Sequence, residues 1–374
     1  MSPGAAAPRG LEGVVAAQTR LSHVDGENGV LIIGGYSVEE LAGHVGFEEA
    51  AHLLWRGRLP DKVELRDLSA QMSAQRQISP LTLDVLRAAQ KAPPIDALRM
   101  GCATLSLGLA DPNAISPEAD FGVSVRLTAA FPTIVAAHSR MARGQDPIPP
   151  RADLPLAANF LYMVHGREPD PAAASALDAY WVTVIDHGMN ASTFTARVIA
   201  STRSDMVSSV TGALGALKGP LHGGAPGPVL DMLHDIKTAD RAEAWLRNEI
   251  SSGRRIMGFG HRVYRAEDPR ARVLRRTAKE LGSPRYQVAE ALERSALSAL
   301  RVKSPERVLE TNVEFWAAVV LDVAALPPEM YPAMFGCARV AGWSAHIVEQ
   351  RRSGRLIRPL ARYVGLPPRP LAAA

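Results

Sequence analysis

Proline and glycine cut this chain into pieces of helix length. Residues 61–76, 81–91, 94–110 and 117–143 read as helical segments, parted by punctuation such as Pro93-Pro94 and Pro147 to Pro150. Proline lacks an amide donor and clashes with the preceding turn, so each break marks a boundary. Ser37-Val38-Glu39-Glu40 has the capping-box pattern that opens a helix, and Phe47 to Trp55 continues helical until Arg58-Leu59-Pro60. Only Val14 to Ile33 alternates β-branched and polar residues, around Val24-Asp25-Gly26-Glu27-Asn28-Gly29, which predicts a hairpin with a loop of several residues. The expected fold is mainly α with a small N-terminal β-hairpin.

From Leu154 the helical stretches become rich in Ala, Gly and Ser, as in Asn190 to Arg197 and Ser208 to Lys218, so their backbones can pack closely. Gly219-Pro220 is the expected stop of the second. Val229, Met232, Leu233 and Ile236 then share one helical face, Ser283-Pro284 opens a helix striped by Val288, Leu292 and Ala296, and a long last helix runs from Glu329 to about Glu349. At 374 residues the chain exceeds most single cores. Two domains are expected: a large helical one from 1–223 and 327–374, and a small helical one from 224–326.

A hydrophobic share of 47% and a charged share of 21% are those of an ordinary globular protein, and a net charge of +4 at this length does not by itself imply nucleic acid. Arg254, Arg255, Arg262, Arg265, Arg270, Arg272, Arg275 and Arg276 crowd one stretch, which suits a small anionic ligand; the aromatic interleaving and recognition motifs of nucleic-acid binders are missing. Cys102 and Cys337 are the only cysteines, too few for a disulfide framework or a cysteine zinc site, and no His-Glu-x-x-His pattern suggests a metal. The N-terminal tail lacks the apolar core of a signal peptide, and no apolar run approaches the roughly 20 residues of a membrane span, so a cytoplasmic protein with no membrane partner is expected.

The chemistry concentrates in Gly258-Phe259-Gly260-His261-Arg262-Val263-Tyr264-Arg265-Ala266-Glu267-Asp268-Pro269-Arg270. Gly258 and Gly260 open backbone angles closed to other residues, His261 titrates near neutrality, and the arginines match carboxylate or phosphate oxygens. The same stretch also fits a glycine turn with solvated arginines. His187 in Ile185-Asp186-His187-Gly188-Met189-Asn190 and His222 beside Gly223 and Gly224 sit in similarly unusual settings. Asn312 can cap a helix with Glu314 in its first turn, where the helix dipole favours a carboxylate; helix-start stabilisation explains Glu314 equally well, and Glu310 is a second acid one turn earlier.

Five blocks together resemble the citrate synthase family across nearly the whole chain: Gly10 to Val15, Asn190 to Arg197, Gly219 to Ala225, Gly258 to Arg270 and Arg339 to Gln350. The resemblance implies a mainly helical, two-domain homodimer that condenses acetyl-CoA with oxaloacetate, needing no cofactor since the acyl-CoA is a substrate. By that resemblance Glu314 is the base that takes a proton from the acetyl methyl, His222 the donor to the enolate oxygen, and His261 the acid at the ketone of oxaloacetate. His187, Arg270 and Arg339 would hold oxaloacetate, with Arg358 reaching in from the partner subunit. Gly258, Phe259 and Gly260, through their backbone, and Arg262 and Arg265 would meet CoA. Three departures stand out: Glu314 where the family usually has Asp, His187-Gly188-Met189-Asn190-Ala191 for His-Glu-x-Asn-Ala, and Gly223-Gly224-Ala225-Pro226 for Gly-Gly-Ala-Asn. A 2-methylcitrate synthase using propionyl-CoA and a relative that binds CoA or dicarboxylates without turnover are the alternatives.

Overall fold

The computed structural model describes residues 9–370 apart from 12, 110, 112, 113, 223–226, 304, 305 and 307. Near the N-terminus β1 (Ser22–Asp25), β2 (Val30–Ile33) and β3 (Tyr36–Ser37) form an antiparallel sheet in that order, with Ser22 opposite Ile33 and Asp25 opposite Val30. The hairpin is shorter than the alternation predicts. Val14 and Val15 are 48% and 85% exposed, so the first half of that pattern has no face to bury and stays out of the sheet. Gly34 and Gly35, at φ 57 and 95, instead turn the chain back and add β3.

The rest is helical: α1 (Val38–Leu41), α2 (Phe47–Arg56), α3 (Lys62–Ala74), α4 (Pro80–Ala88), α5 (Pro94–Thr104), α6 (Pro117–Ala142), α7 (Leu156–His165), α8 (Pro171–Val184), α9 (Ala191–Ser201), α10 (Met206–Leu217), α11 (Gly227–Ile236), α12 (Ala242–Ser251), α13 (Pro269–Glu280), α14 (Tyr286–Lys303), α15 (Val313–Val323) and α16 (Tyr331–Ser353). Ser37 closes the expected capping box with Glu40. Other ends differ from the sequence reading by a few residues. The α10 helix stops at Leu217, and Gly219 is not left-handed; its amide bonds Ala216 O at 3.1 Å in a tightened last turn. Ser283-Pro284 forms the turn before α14 rather than its first residues, and a 3-10 turn, Pro328–Met330, precedes α16.

The α6 helix corrects the expectation that no apolar run approaches a membrane span. It is long and apolar enough for one, and 78% of its apolar window is buried inside the fold. Its apolarity is used against α3, α4, α5, α7 and α16. The α16 helix packs in turn on α2, α5, α8, α9 and α10, and fully buried Trp181 and Trp343 lie in this core.

Farther along the chain, α13 and α15 pack on each other and both on α8, while α11 and α14 pack on α15 and α12 on α14. The expected boundary at 223/224 lies outside the described residues, as does Pro226. The α13 helix also ties to the N-terminal elements through Arg272, which pairs with Glu39 at 2.7 Å and donates to Gly29 O at 2.9 Å.

Candidate active site

The histidine loop is strapped to the start of α15. Gly258 and Gly260 have φ 87 and 84, and a Cβ on Gly258 would meet Phe315 Cβ at 2.8 Å, so glycine is required there for both angle and space. Gly260 N donates to Glu310 O at 2.7 Å, Asn312 N to Gly258 O at 2.9 Å, and Asn312 Nδ2 to Gly260 O at 2.9 Å. The other end of the Asn312 side chain caps α15 by accepting Glu314 N at 3.0 Å. Phe259 packs its ring on Phe315, centroids 5.2 Å apart, and is buried, so it offers a ligand its main chain only.

Asp268 completes the frame. It caps α13, holds the Arg270 guanidinium at 2.8 and 3.0 Å, and accepts Val313 N at 3.2 Å. Burial works against the charge of Arg270, but Asp268 outweighs it and raises the arginine's pKa. His261, Arg270 and Glu314 are therefore fixed relative to one another by one set of hydrogen bonds.

Hydrogen-bond accounting fixes the proton on two of the three histidines. His261 Nδ1 accepts Val263 N at 3.0 Å and Tyr264 N at 3.1 Å, two shorter bonds than the 3.4 Å approach of Arg270 Nη2 to Nε2, which favours the lone pair at Nδ1 and the N–H at Nε2. Burial and the nearby Arg270 push its pKa down to about 4, so the ring is neutral at physiological pH. His222 Nε2 stands 2.8 Å from Ser192 Oγ and 3.1 Å from Ser192 N at the start of α9; the hydroxyl can take either role but the amide can only donate, so Nε2 accepts and the N–H is at Nδ1. Burial and Arg339 lower its pKa as well. Ser192 is itself held by Asn190 at 2.8 Å and by Trp343 Nε1 at 3.1 Å.

His187 lies against this group, its ring 5.8 Å from that of His261 and its Nε2 3.0 Å from the Tyr264 hydroxyl. Burial, then Arg270 and Arg339, hold its pKa well below the ordinary value. Arg339 is buried on α16, donates through Nε to Val184 O at 2.8 Å, and has an Nη2 that is buried without a partner. Burial pushes its pKa down to about 10. Glu314 is half-buried, and burial raises its pKa against the pull of Arg270 and Arg255. Arg270 thus acts on His187, His261 and Glu314, and Arg339 on His187 and His222, so these six residues share one electrostatic environment.

The structure narrows the arginine cluster. Arg254 pairs with Glu249, Arg270 with Asp268, Arg272 with Glu39, and Arg275 with Glu267 and Glu293, while Arg276 donates to the carbonyls of Glu39 and Ala42. Among the described residues, Arg255, Arg262 and Arg265 are the members of that cluster left exposed without an ion pair. Arg358 is exposed on the tail beyond α16 and shares no hydrogen bond or ion pair with the histidines within one protomer. The same accounting favours Glu314 over Glu310: α15 begins at Val313, so Glu310 lies before the helix, its carboxylate 3.3 Å from Arg301.

Several members of the site escaped the sequence reading. Asp268 carried a local signal, an acid just before a helix-opening proline. Tyr264 and Ser192 carried none, because their partners are distant in sequence. Asp186 is fully buried behind His187, where it accepts Ser22 Oγ, Gly188 N at 3.2 Å and the ring of His346 at 3.2 Å. Although burial opposes its charge, His346 and Arg339 hold its pKa down to about 2. Gly188, at φ 59, takes a left-handed angle that a side chain would strain, which accounts for glycine at that departure from the family pattern. Among the described residues no cluster of three or more His, Cys, Asp or Glu is placed to hold a metal ion.

Residues 10–360 match the family described as Citrate synthase, C-terminal domain. Over 214 residues the chain is 59% identical to a provisionally named citrate synthase 2 of Mycobacterium tuberculosis, an alignment that spans 57% of each chain. It is 42% identical over 365 residues to a citrate synthase of Deinococcus radiodurans, covering 96% of this chain and 95% of that one. A solved citrate synthase from Pyrobaculum aerophilum is 39% identical with a TM-score of 0.85, covering 97% of this chain and 94% of the other. A Thermoplasma acidophilum citrate synthase, solved as a ternary complex with carboxymethyl coenzyme A and oxaloacetate, is 31% identical with a TM-score of 0.87, covering 97% of each chain. With residues of four of the five blocks gathered at one site and this likeness over almost the full length, the chain belongs to the citrate synthase family.

Proposed function

We propose that this chain is a citrate synthase, joining acetyl-CoA to oxaloacetate and releasing citrate and CoA. The observation that supports it most is the pair of neutral histidines with opposite protonated nitrogens, His222 at Nδ1 and His261 at Nε2, beside two buried arginines. Carbon–carbon bond formation from a thioester needs two such donors, one for the enolate oxygen and one for the ketone oxygen.

Glu314 removes a proton from the thioester methyl, and its raised pKa makes it a stronger base than an ordinary carboxylate. His222 donates from Nδ1 to the thioester oxygen as charge builds there. The carbanion carbon attacks the ketone carbon of oxaloacetate, whose oxygen takes the proton of His261 Nε2. The proton that Glu314 removed from the methyl group is passed back to His261 through water, so both groups are restored at citryl-CoA. Water then cleaves the citryl thioester, releasing CoA and citrate. Arg270 and Arg339 bind the two carboxylates of oxaloacetate, and the unpartnered Nη2 of Arg339 finds its acceptor there. The Thermoplasma acidophilum relative binds the same pair of ligand types. Arg255, Arg262 and Arg265 face the nucleotide end of CoA.

In this reading 224–326 form a small domain that closes on the large one, the protein is a cytoplasmic homodimer, and Arg358 completes the partner's oxaloacetate site. The experiment is CoA thiol release with acetyl-CoA and propionyl-CoA, each with and without oxaloacetate. Oxaloacetate-dependent release is expected, with a higher kcat/KM for acetyl-CoA; a preference for propionyl-CoA would instead identify a 2-methylcitrate synthase, and a single methylene is worth only about 1–3 kcal/mol of such discrimination. Tight binding of both substrates with no thiol release would overturn the proposal.

A further inference from the structure

We infer that Tyr264 is a positioning residue that sets the proton on two histidines at once: its main-chain N–H keeps the lone pair of His261 at Nδ1, and its hydroxyl keeps the lone pair of His187 at Nε2. The inference rests on reading His187 and His261 as the oxaloacetate side of the site.

The three rings form one cluster. Their centroids lie 4.8 Å apart for His261 and Tyr264, 5.5 Å for His187 and Tyr264, and 5.8 Å for the two histidines. Tyr264 is 2% exposed, and its hydroxyl meets His187 Nε2 at 3.0 Å. Two arrangements are conceivable for that contact. If His187 Nε2 carried the proton and donated to the tyrosine, the phenol O–H would point into protein with no acceptor among the described residues, and a buried donor left unpaired is costly. If the tyrosine donates instead, both groups are satisfied. The second arrangement leaves Nε2 as the acceptor and places the His187 proton on Nδ1. Burial also raises the Tyr264 pKa, so the phenol keeps its proton to donate.

His261 is governed by the same residue from its other end. The Tyr264 amide, 3.1 Å from His261 Nδ1, works with the Val263 amide at 3.0 Å, so this tautomer is written into the backbone of the loop. Tyr264 therefore gives its two neighbours opposite tautomers with two different donors. The consequence is functional, because the tautomer decides which edge of an imidazole donates to a substrate carboxylate and which edge repels it. Only the hydroxyl half can be removed by substitution, which makes the inference separable.

The test is a nitrogen-15 spectrum of the imidazole rings in the ligand-free, full-length protein labelled at histidine, with His187 and His261 assigned by the signals lost in His187→Gln and His261→Gln. The wild type should show His187 protonated at Nδ1 and His261 at Nε2. In Tyr264→Phe the His187 pattern alone should move toward the other tautomer, with His261 unchanged, and KM for oxaloacetate should rise roughly three- to tenfold while kcat stays within about twofold, as expected for loss of one hydrogen bond. An Nε2-protonated His187 in the wild type, or a His187 pattern unaltered by Tyr264→Phe, would overturn the inference. The wild-type spectrum decides even where the variant does not fold. Absence of thiol release together with the expected tautomers would sink the enzymatic reading and leave the tautomer assignment standing.

Discussion

The Asp268 carboxylate reaches 3.2 Å to the main-chain N–H of Val313, across 45 residues, while it grips Arg270 with both oxygens. The loop that carries His261 and the helix that carries Glu314 are thus joined through one buried acid. Chemistry that must move a proton at one end and form a bond at the other depends on that join holding the two ends in register.

Asp268→Asn should uncouple them. The Arg270 charge loses its partner in a site where both side chains are almost fully buried, 4% and 1% exposed. Breaking a buried pair on one side costs about 3–5 kcal/mol. The expected outcome is a lower Tm and a kcat/KM reduced at least about a hundredfold, with most of the loss in KM for oxaloacetate. Wild-type kinetics in this variant would show that the join has no bearing on the site.

Glu314→Gln should abolish thiol release while oxaloacetate still binds by calorimetry, since general-base catalysis is worth on the order of 10²–10⁴ in rate. Glu310→Gln should retain activity, because that carboxylate lies outside α15 and faces Arg301. In the wild type kcat should fall as pH drops through the Glu314 pKa, which burial sets above 4.5. Glu314→Asp shortens the reach by on the order of 1 Å and should lose rate in a site built around glutamate. Survival of activity in Glu314→Gln with its loss in Glu310→Gln would reverse the assignment.

His261 gives the fold a pH dependence of definite sign. Its pKa falls from 6.5 to about 4 on folding, through burial first and Arg270 second. Between those values the unfolded chain takes up a proton that the folded chain refuses. The stabilisation is therefore fully present above pH 6.5 and is lost as pH falls toward about 4. His187 and His222 shift in the same direction. Melting curves recorded from pH 7 downward should show Tm falling, and His261→Gln should flatten part of that fall. An unchanged slope in the variant would contradict the assignment of a neutral ring.

Gly26 tests the contact between the N-terminal hairpin and the histidine loop. Arg265 N donates to Gly26 O at 2.7 Å, and a Cβ on Gly26 would stand 2.4 Å from Val263 O. Gly26→Ala must displace Val263 and with it the two loop amides that hold His261. A displacement of about 1 Å predicts a kcat/KM lower by roughly a hundredfold, with a smaller drop in Tm than Asp268→Asn causes. Full activity in Gly26→Ala would show that the loop holds His261 without the hairpin.

The local elements were legible in the chain itself. Capping boxes, helix-opening prolines and apolar spacings act over three or four residues, so the Ser37 cap, the Asn312 cap ahead of Glu314 and the buried face of α11 follow from neighbours alone. The family resemblance in five blocks also named the histidines and acid that the structure gathers into one environment. Tertiary packing decided the rest. The hairpin lost its first half because nothing covers Val14 and Val15, five of the eight clustered arginines turned out to be held by structural ion pairs or main-chain carbonyls, and the tautomers of His222 and His261 depend on Ser192 and on the curl of the loop itself. Partners such as His187 and Tyr264 stand 77 residues apart, and His222 and Ser192 stand 30 apart. Local propensity carries no record of such distances; only the packing of α9, α13, α15 and α16 brings those atoms within a hydrogen bond.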